Sequence, residues 1–254
     1  AFTATATEQV RRDIVRLLGL RNPELVVTGF DRPNLFFEVR HPVNKGTELR
    51  DIVLARQGKS GIVYCATRSA VERVCDSLRY YGVAASCYHA GLPDDERRKN
   101  QDDFIYDRST VMVATNAFGM GIDKSNVSYV VHYNMPKSLE AYYQEAGRAG
   151  RDGSAAECIL LYAPGDVQTA RFLIENSGEN DALTDAERAA LRRRDTIRLN
   201  TMVKYCTTTG CLRAYILNYF GQEHENSCQG CGNCLGGYEL RDITRESQMA
   251  LSCV

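Results

Sequence analysis

From residue 7 to about residue 165, short apolar runs rich in β-branched residues alternate with amphipathic stretches. No other feature narrows the fold as much, because strands separated by helix-length segments build βα units around a mostly parallel sheet. Strands are expected at Leu25–Val27, Asn34–Val39, Gly61–Cys65, Ala84–Tyr88, Thr110–Thr115, Tyr129–His132 and Glu157–Tyr162. Helices are expected at Thr7–Leu18, Thr47–Gln57, Ser69–Tyr81, Pro93–Tyr106 and Ser138–Ala149, the last four opened by Thr, Ser, Pro and Ser near the first turn. The fold class is therefore α/β, a parallel sheet flanked by helices.

After about residue 166 the strands stop. Asp166–Asn176, Asp185–Thr201 and Leu212–Phe220 read as helical, and a Gly- and Cys-rich loop runs from Gly221 to Gly237. A helical unit of about 70 residues with little β-branched content gains most from a bound metal.

The 254 residues carry 31 Lys plus Arg against 32 Asp plus Glu, a net charge of −1, so any nucleic-acid footprint must be local. Hydrophobic content of 44% excludes a disordered chain. No apolar run reaches the roughly eighteen residues of a membrane span, and AFTATATEQVRRD lacks the basic and apolar regions of a signal peptide. A soluble, non-secreted protein with no membrane partner is expected. The first residue is Ala1, and the last residues, DITRESQMALSCV, read as a helix without stop signals, so the chain is expected to continue in both directions.

Cys65, Cys75, Cys87 and Cys158 are scattered among apolar or helical stretches, as small buried hydrophobes are. Cys206, Cys211, Cys228, Cys231 and Cys234 crowd together instead. Two-residue spacers in Cys228-x2-Cys231-x2-Cys234 let three thiolates converge on one Zn²⁺. Cys211 and Cys206 compete for the fourth position; Cys211 is favoured because it precedes the apolar helix Leu212–Phe220, whose far end returns the chain to the loop. Four thiolates without histidine describe a closed structural site, with an iron–sulfur cluster as the second reading.

Two segments point to a phosphate-bearing ligand. Gln144-Glu145-Ala146-Gly147-Arg148-Ala149-Gly150-Arg151 sets two arginines three apart at a helix end, where guanidiniums clamp phosphate oxygens; the plainer reading is a surface ion-pair face. VMVATNAFGMGIDKSNV, from Val111 to Val127, is a strand running into a loop with Gly119, Gly121 and Asp123, and such loops hold ligands in open α/β sheets. Gly58-Lys59-Ser60 only mimics a phosphate-binding loop: Val53 stands where its first glycine belongs, and a helix precedes it where a strand should. The run Arg192-Arg193-Arg194, with Arg188 and Arg198, reads either as a solvated helix face or as a local DNA patch.

Taken together the motifs resemble the RecQ family of ATP-dependent DNA helicases along nearly the whole chain. Phe2-Thr3-Ala4-Thr5-Ala6 is similar to the third helicase motif, and Asp31-Arg32-Pro33-Asn34-Leu35 to the opening of the second lobe. GIVYCATRSAVE from Gly61, YHAGL from Tyr88, VATNAFGMGIDKSNV from Val113 and QEAGRAGRDG from Gln144 resemble the fourth to sixth motifs and the segment between them. The Cys211, Cys228, Cys231, Cys234 spacing resembles the family's zinc subdomain and supports Cys211 over Cys206.

The resemblance implies a RecA-like second lobe over residues 31–165, a helical zinc-binding subdomain over 166–238, a tail of the first lobe and linker over 1–30, and the start of a winged-helix domain over 239–254. By the same resemblance Arg151 is the arginine finger that reaches the γ-phosphate held by the other lobe, supported by Arg148 and Gln144. Gly121 and Asp123 approach nucleotide, while Thr67, Arg68, His89 and Thr115 track single-stranded DNA. Structural readings stand beside these: Thr67 as a helix cap, His89 as a satisfied loop histidine, Thr115 as a strand end. The implied parent binds ATP and Mg²⁺ mainly through its first lobe, has single-stranded and partly duplex DNA as partners, unwinds duplex DNA 3′-to-5′, and serves DNA repair, recombination, replication and the SOS response. It is expected to be monomeric and cytoplasmic, associated with a bacterial nucleoid. This chain, needing the first lobe in cis, is expected neither to hydrolyse ATP nor to unwind. The competing reading is a non-catalytic, zinc-dependent nucleic-acid or protein-interaction module.

Overall fold

The computed structural model describes residues 3, 5–119, 124–175, 184–236 and 243–252. Six strands, β1 (Leu35–Arg40), β2 (Ser60–Tyr64), β3 (Ala85–Tyr88), β4 (Val111–Ala114), β5 (Val127–His132) and β6 (Ala156–Leu161), form one sheet in the order β1-β6-β5-β2-β4-β3. Every pairing is parallel. Parallel strands need crossovers, and the intervening helices α2 (Lys45–Leu54), α3 (Arg68–Tyr80), α4 (Asp94–Ile105) and α5 (Leu139–Ala146) cover both faces.

Burial on both faces explains why the strands read as continuous apolar runs. In β2 the alternate residues Ile62 and Tyr64 join one core, with Phe37, Met112, Val130 and Cys158. Val63 points the other way, into a second core with Val113 and Val131, closed by Leu49, Ile52 and Val53 of α2 and by Val71, Val74 and Leu78 of α3.

The helical segment follows as α6 (Pro164–Glu175), α7 (Asp185–Thr207), α8 (Leu212–Tyr219), the short α9 (Gly232–Leu235) and α10 (Thr244–Leu251); ahead of the sheet lies α1 (Glu8–Leu17). Helix α7 runs six residues beyond the Thr201 expected from sequence, and α9 falls inside what reads as loop. Leu199, Met202, Tyr205, Leu212, Ile216 and Phe220 belong to the same apolar cluster as the sheet's first face. Tyr205 packs on Tyr142 with ring centroids 5.1 Å apart and donates to its hydroxyl at 3.3 Å.

Leu25–Val27 is not a strand. Its residues are irregular and exposed, Val26 by 79%, because no strand among the described residues lies beside them. The caps also differ from expectation: Asn44 and Thr67, rather than Thr47 and Ser69, accept the first-turn amides of α2 and α3, while Ser138 caps α5 as foreseen.

Candidate nucleotide-facing edge and metal centre

In a parallel sheet all carboxyl ends lie on one edge, where ligands gather. Helix α5 crosses from that edge to the amino ends of the strands, where Gly150 N of the arginine loop donates to O of Val127, the first residue of β5, at 2.8 Å. Arg148 lies just past the helix end and donates from Nη1 to Gly119 O at 2.6 Å, so the loop after β4 and the loop after α5 meet. Gly119 makes the contact possible: its φ is +138°, and a Cβ there would lie 2.1 Å from Arg148 Cζ. Arg148 Nε is buried without a hydrogen-bond partner. Among the described residues no carboxylate is ion-paired with Arg148. Tyr64 packs beneath, donating to Phe118 O at 3.3 Å; burial raises its pKa, partly offset by Arg148.

Gln144 and Arg151 are exposed on either side of Arg148. Gly121 and Asp123 lie outside the described residues. Behind the arginines, fully buried His132 sets Nε2 2.9 Å from Glu145 Oε2, with its ring stacked on Tyr64 at 5.4 Å. Sequence reasoning passed over Tyr64 and His132, although Tyr64 sits in a quoted motif and both lie at the ends of expected strands.

The four residues expected to follow DNA converge at the ends of the neighbouring strands β2, β4 and β3. Thr67 accepts from Ala70 N at 3.2 Å and caps α3, which presents the exposed Arg68. A Cβ on Gly91 would meet Arg68 Nη1 at 3.1 Å, placing Arg68 over the turn after β3. Thr115 N donates to Tyr88 O at 3.1 Å. His89 differs from the other three: it is 2% exposed, with Nδ1 accepting from Gly91 N at 3.2 Å and Nε2 3.3 Å from Glu72 Oε1. Its side chain shapes the turn, and Thr67, Arg68 and Thr115 form the accessible surface.

The sulfur atoms of Cys211, Cys228, Cys231 and Cys234 all lie within 4.8 Å of one another. Cys211 Sγ and Cys231 Sγ are 4.0 Å apart, close to the about 3.8 Å edge of a ZnS₄ tetrahedron built from Zn–S bonds of about 2.3 Å. Burial pushes the Cys211 thiol up to about 12, so holding it as a thiolate here calls for a compensating cation. The donor set fits structural Zn²⁺. Cys206 is buried in the apolar cluster instead, and burial raises its thiol's pKa.

The metal loop docks on the sheet. Phe37 of β1 bridges to Cys231, and Phe37 N donates to Gly230 O at 3.4 Å. Arg213, 4% exposed, donates to Asp31 Oδ1 at 2.7 Å, Arg32 O at 2.8 Å and Leu35 O at 2.5 Å. No helix is long and apolar enough to cross a membrane among the described residues.

Residues 44–153 match the family described as helicase conserved C-terminal domain, and residues 164–235 match that described as RecQ zinc-binding. An ATP-dependent DNA helicase RecQ from Bacillus subtilis is 46% identical over the whole chain, which spans 42% of that relative's length. The ATP-dependent DNA helicase hus2/rqh1 of Schizosaccharomyces pombe is 41% identical over 99% of the chain, which spans 19% of it. In fold alone the chain resembles S. cerevisiae Dbp5 bound to RNA and ADP BeF3, with a TM-score of 0.58 and 21% identity over 78% of this chain and 54% of that one. Sheet, cysteine cage and both matches agree: the chain belongs to the RecQ helicase family, carrying its C-terminal helicase lobe and its zinc-binding segment.

Proposed function

We propose that this chain is the second lobe of an ATP-dependent 3′-to-5′ DNA helicase and that it supplies the arginine finger, Arg151, to ATP held by the first lobe. The contact between Arg148 and Gly119 carries this reading, because it draws the arginine loop onto the strand-end loop expected to face nucleotide. Arg148 braces the loop at that carbonyl, leaving exposed Arg151 and Gln144 at the rim. Gly121 and Asp123, two and four residues after Gly119 in sequence, are assigned to nucleotide by the family resemblance alone.

Thr67, Arg68 and Thr115 line the DNA track on this lobe, with His89 setting the turn beneath Arg68. Zn²⁺, when bound, supplies a fixed tetrahedral centre; Cys211, Cys228, Cys231 and Cys234 hold the loop around it. The lobe occupies residues 31–165 and the zinc-binding subdomain 166–238, with the winged-helix domain beginning at 239–254. Residues 1–30 belong with the first lobe, and the exposed apolar Leu25–Val27 run is the edge that lobe covers. The parent serves DNA repair, recombination and replication as a soluble monomer. Alone, this chain neither hydrolyses ATP nor unwinds DNA.

Arginine fingers contribute about 10³–10⁵ in rate. Arg151→Ala in the full-length protein is expected to lose turnover on that scale while still binding ATP. Near-normal hydrolysis would remove the assignment. If the full-length protein with intact arginines showed no DNA-stimulated hydrolysis, the reading of a zinc-dependent binding module would stand instead.

A further inference from the structure

Arg32 lies just ahead of β1, far in sequence from the groups it holds. Its guanidinium donates to three backbone carbonyls of the arginine loop: Gly147 O at 3.2 Å, Ala149 O at 3.0 Å and Gly150 O at 2.7 Å. These carbonyls bracket Arg148 and immediately precede Arg151. Three convergent backbone acceptors need a planar fork with several donors, which arginine has and lysine lacks. Asn34 adds a second hold, donating from Nδ2 to Gly150 O at 2.9 Å and Ser154 O at 2.8 Å. Gly150 has φ +56°, and its missing Cβ would stand 2.5 Å from that nitrogen.

The backbone that carries Arg32 is itself held from the first turn of α8, which Cys211 caps. Arg213 grips Asp31 Oδ1, Arg32 O and Leu35 O, and its Nη2 lies 3.0 Å from the Cβ position of Gly230, the residue before Cys231. Phe30, one residue earlier, stacks on Phe220 at the end of α8 with centroids 4.9 Å apart, and its carbonyl accepts from the Tyr143 hydroxyl of α5. Residues 30–34 thus hydrogen-bond to the arginine loop on one side and to Arg213 and Gln222, on and just past α8, on the other.

We propose that Arg32 is a positioning residue for the arginine finger, and that Arg213 seats it from the first turn of α8, which Cys211 caps, so that metal occupancy sets the order of the finger. This rests on the arginine-finger reading for its catalytic consequence, but not for its structural one. Removing the fork releases the carbonyls at 147, 149 and 150, and with them the position of Arg151, while leaving the sheet and the cage in place. Displacement of a reacting group by about 1 Å costs about 10²-fold in rate. ATP is held mainly by the other lobe, so the loss falls on kcat.

Hydrogen exchange on this 254-residue chain gives the structural readout. The amides of Gly147, Arg148, Ala149, Gly150 and Gly153 are all hydrogen-bonded, so their protection is measurable. Arg32→Lys keeps the charge but not the fork. It is expected to retain zinc and helical content while exchange over residues 147–153 speeds up about tenfold, the scale of one lost charge-assisted hydrogen bond. Arg213→Lys is expected to do the same with zinc still bound. In the full-length protein, Arg32→Lys is expected to lower kcat about 10²-fold with KM for ATP within about twofold.

Unchanged exchange over 147–153 in Arg32→Lys overturns the clamp. If Arg213→Lys loosens only residues 228–235, the link to the metal falls. Arg151→Ala separates the two readings: normal turnover there defeats the finger assignment, while the exchange result still decides whether Arg32 holds the loop.

Discussion

Gly119 and Arg148 fit as a gap and the group that fills it: a single methyl on residue 119 would occupy the place of the Arg148 guanidinium carbon, 2.1 Å away. The obstacle is the far end of a flexible side chain, so Arg148 swings out before the backbone gives way. Gly119→Ala is therefore expected to cost only the strain of its positive φ, about 1–3 kcal/mol, seen as a small fall in the urea midpoint. Turnover of the full-length protein should fall far more than stability does. Equal hydrolysis by Gly119→Ala and wild type would mean that the seat of Arg148 does not matter.

The cysteine cage yields a pair of contrasting variants. Cys228→Ser is expected to abolish the about one equivalent of zinc measured by metal analysis and to melt α8 and α9, because metal binding in small thiolate sites is worth on the order of 10–16 kcal/mol. Cys206→Ser should keep its zinc, since that thiol lies in the apolar cluster and not in the cage. Zinc loss in Cys206→Ser would reverse the ligand assignment.

Buried thiols elsewhere should be inert. Burial pushes Cys65 and Cys158 each up to about 12. Native alkylation at pH 8, followed by mass mapping, should leave both unmodified until denaturant is added, since the thiolate is the reacting species. Rapid labelling of either would contradict their placement in the sheet.

Stability should carry a small acidic signature from Arg56 and Glu157. Arg56 donates from Nε to Glu157 Oε2 at 2.5 Å and holds that carboxyl below its ordinary 4.5. A depressed folded pKa contributes stability above the unfolded value, and that contribution disappears as pH falls through the folded value. Glu157 is 42% exposed, so the pair is worth under about 1 kcal/mol after solvent screening. Glu157→Gln should differ from wild type by that amount in urea unfolding at pH 7. At a pH below the folded value of Glu157 the two should coincide.

Val26→Asp addresses the exposed Leu25–Val27 run. Val26 is 79% exposed, so the change should move stability of this chain by no more than about 0.5 kcal/mol. Association with a separately prepared first lobe, followed by titration, should weaken sharply. Unimpaired association would place the lobe contact elsewhere.

Most of the sheet was legible because its strands are buried on both faces, leaving uninterrupted apolar runs such as Gly61–Cys65. The same signal misplaced a strand at Leu25–Val27, since an apolar run does not reveal whether a neighbour exists to pair with it. The cysteine cage could be read because three of its ligands are separated by two-residue spacers, and the resemblance supported Cys211 over Cys206. Arg32 and Arg213 escaped notice for the opposite reason. Their acceptors lie 115 to 118 and up to 182 residues away in sequence, and no local pattern records such pairing. His89 shows the limit of motif reading: its place in YHAGL was clear, its 2% exposure was not.

β1 forms one border of the sheet, and the Gly230–Cys231 turn lies along its outer rim through the bridge to Phe37. An uncovered strand border is a template for pairing with another molecule. Stripping the ion should therefore do more than loosen a tail: it would bare a six-residue ribbon bearing Leu35, Phe37 and Val39, and the chelated protein should clump into β-rich aggregates instead of persisting as a smaller soluble lobe.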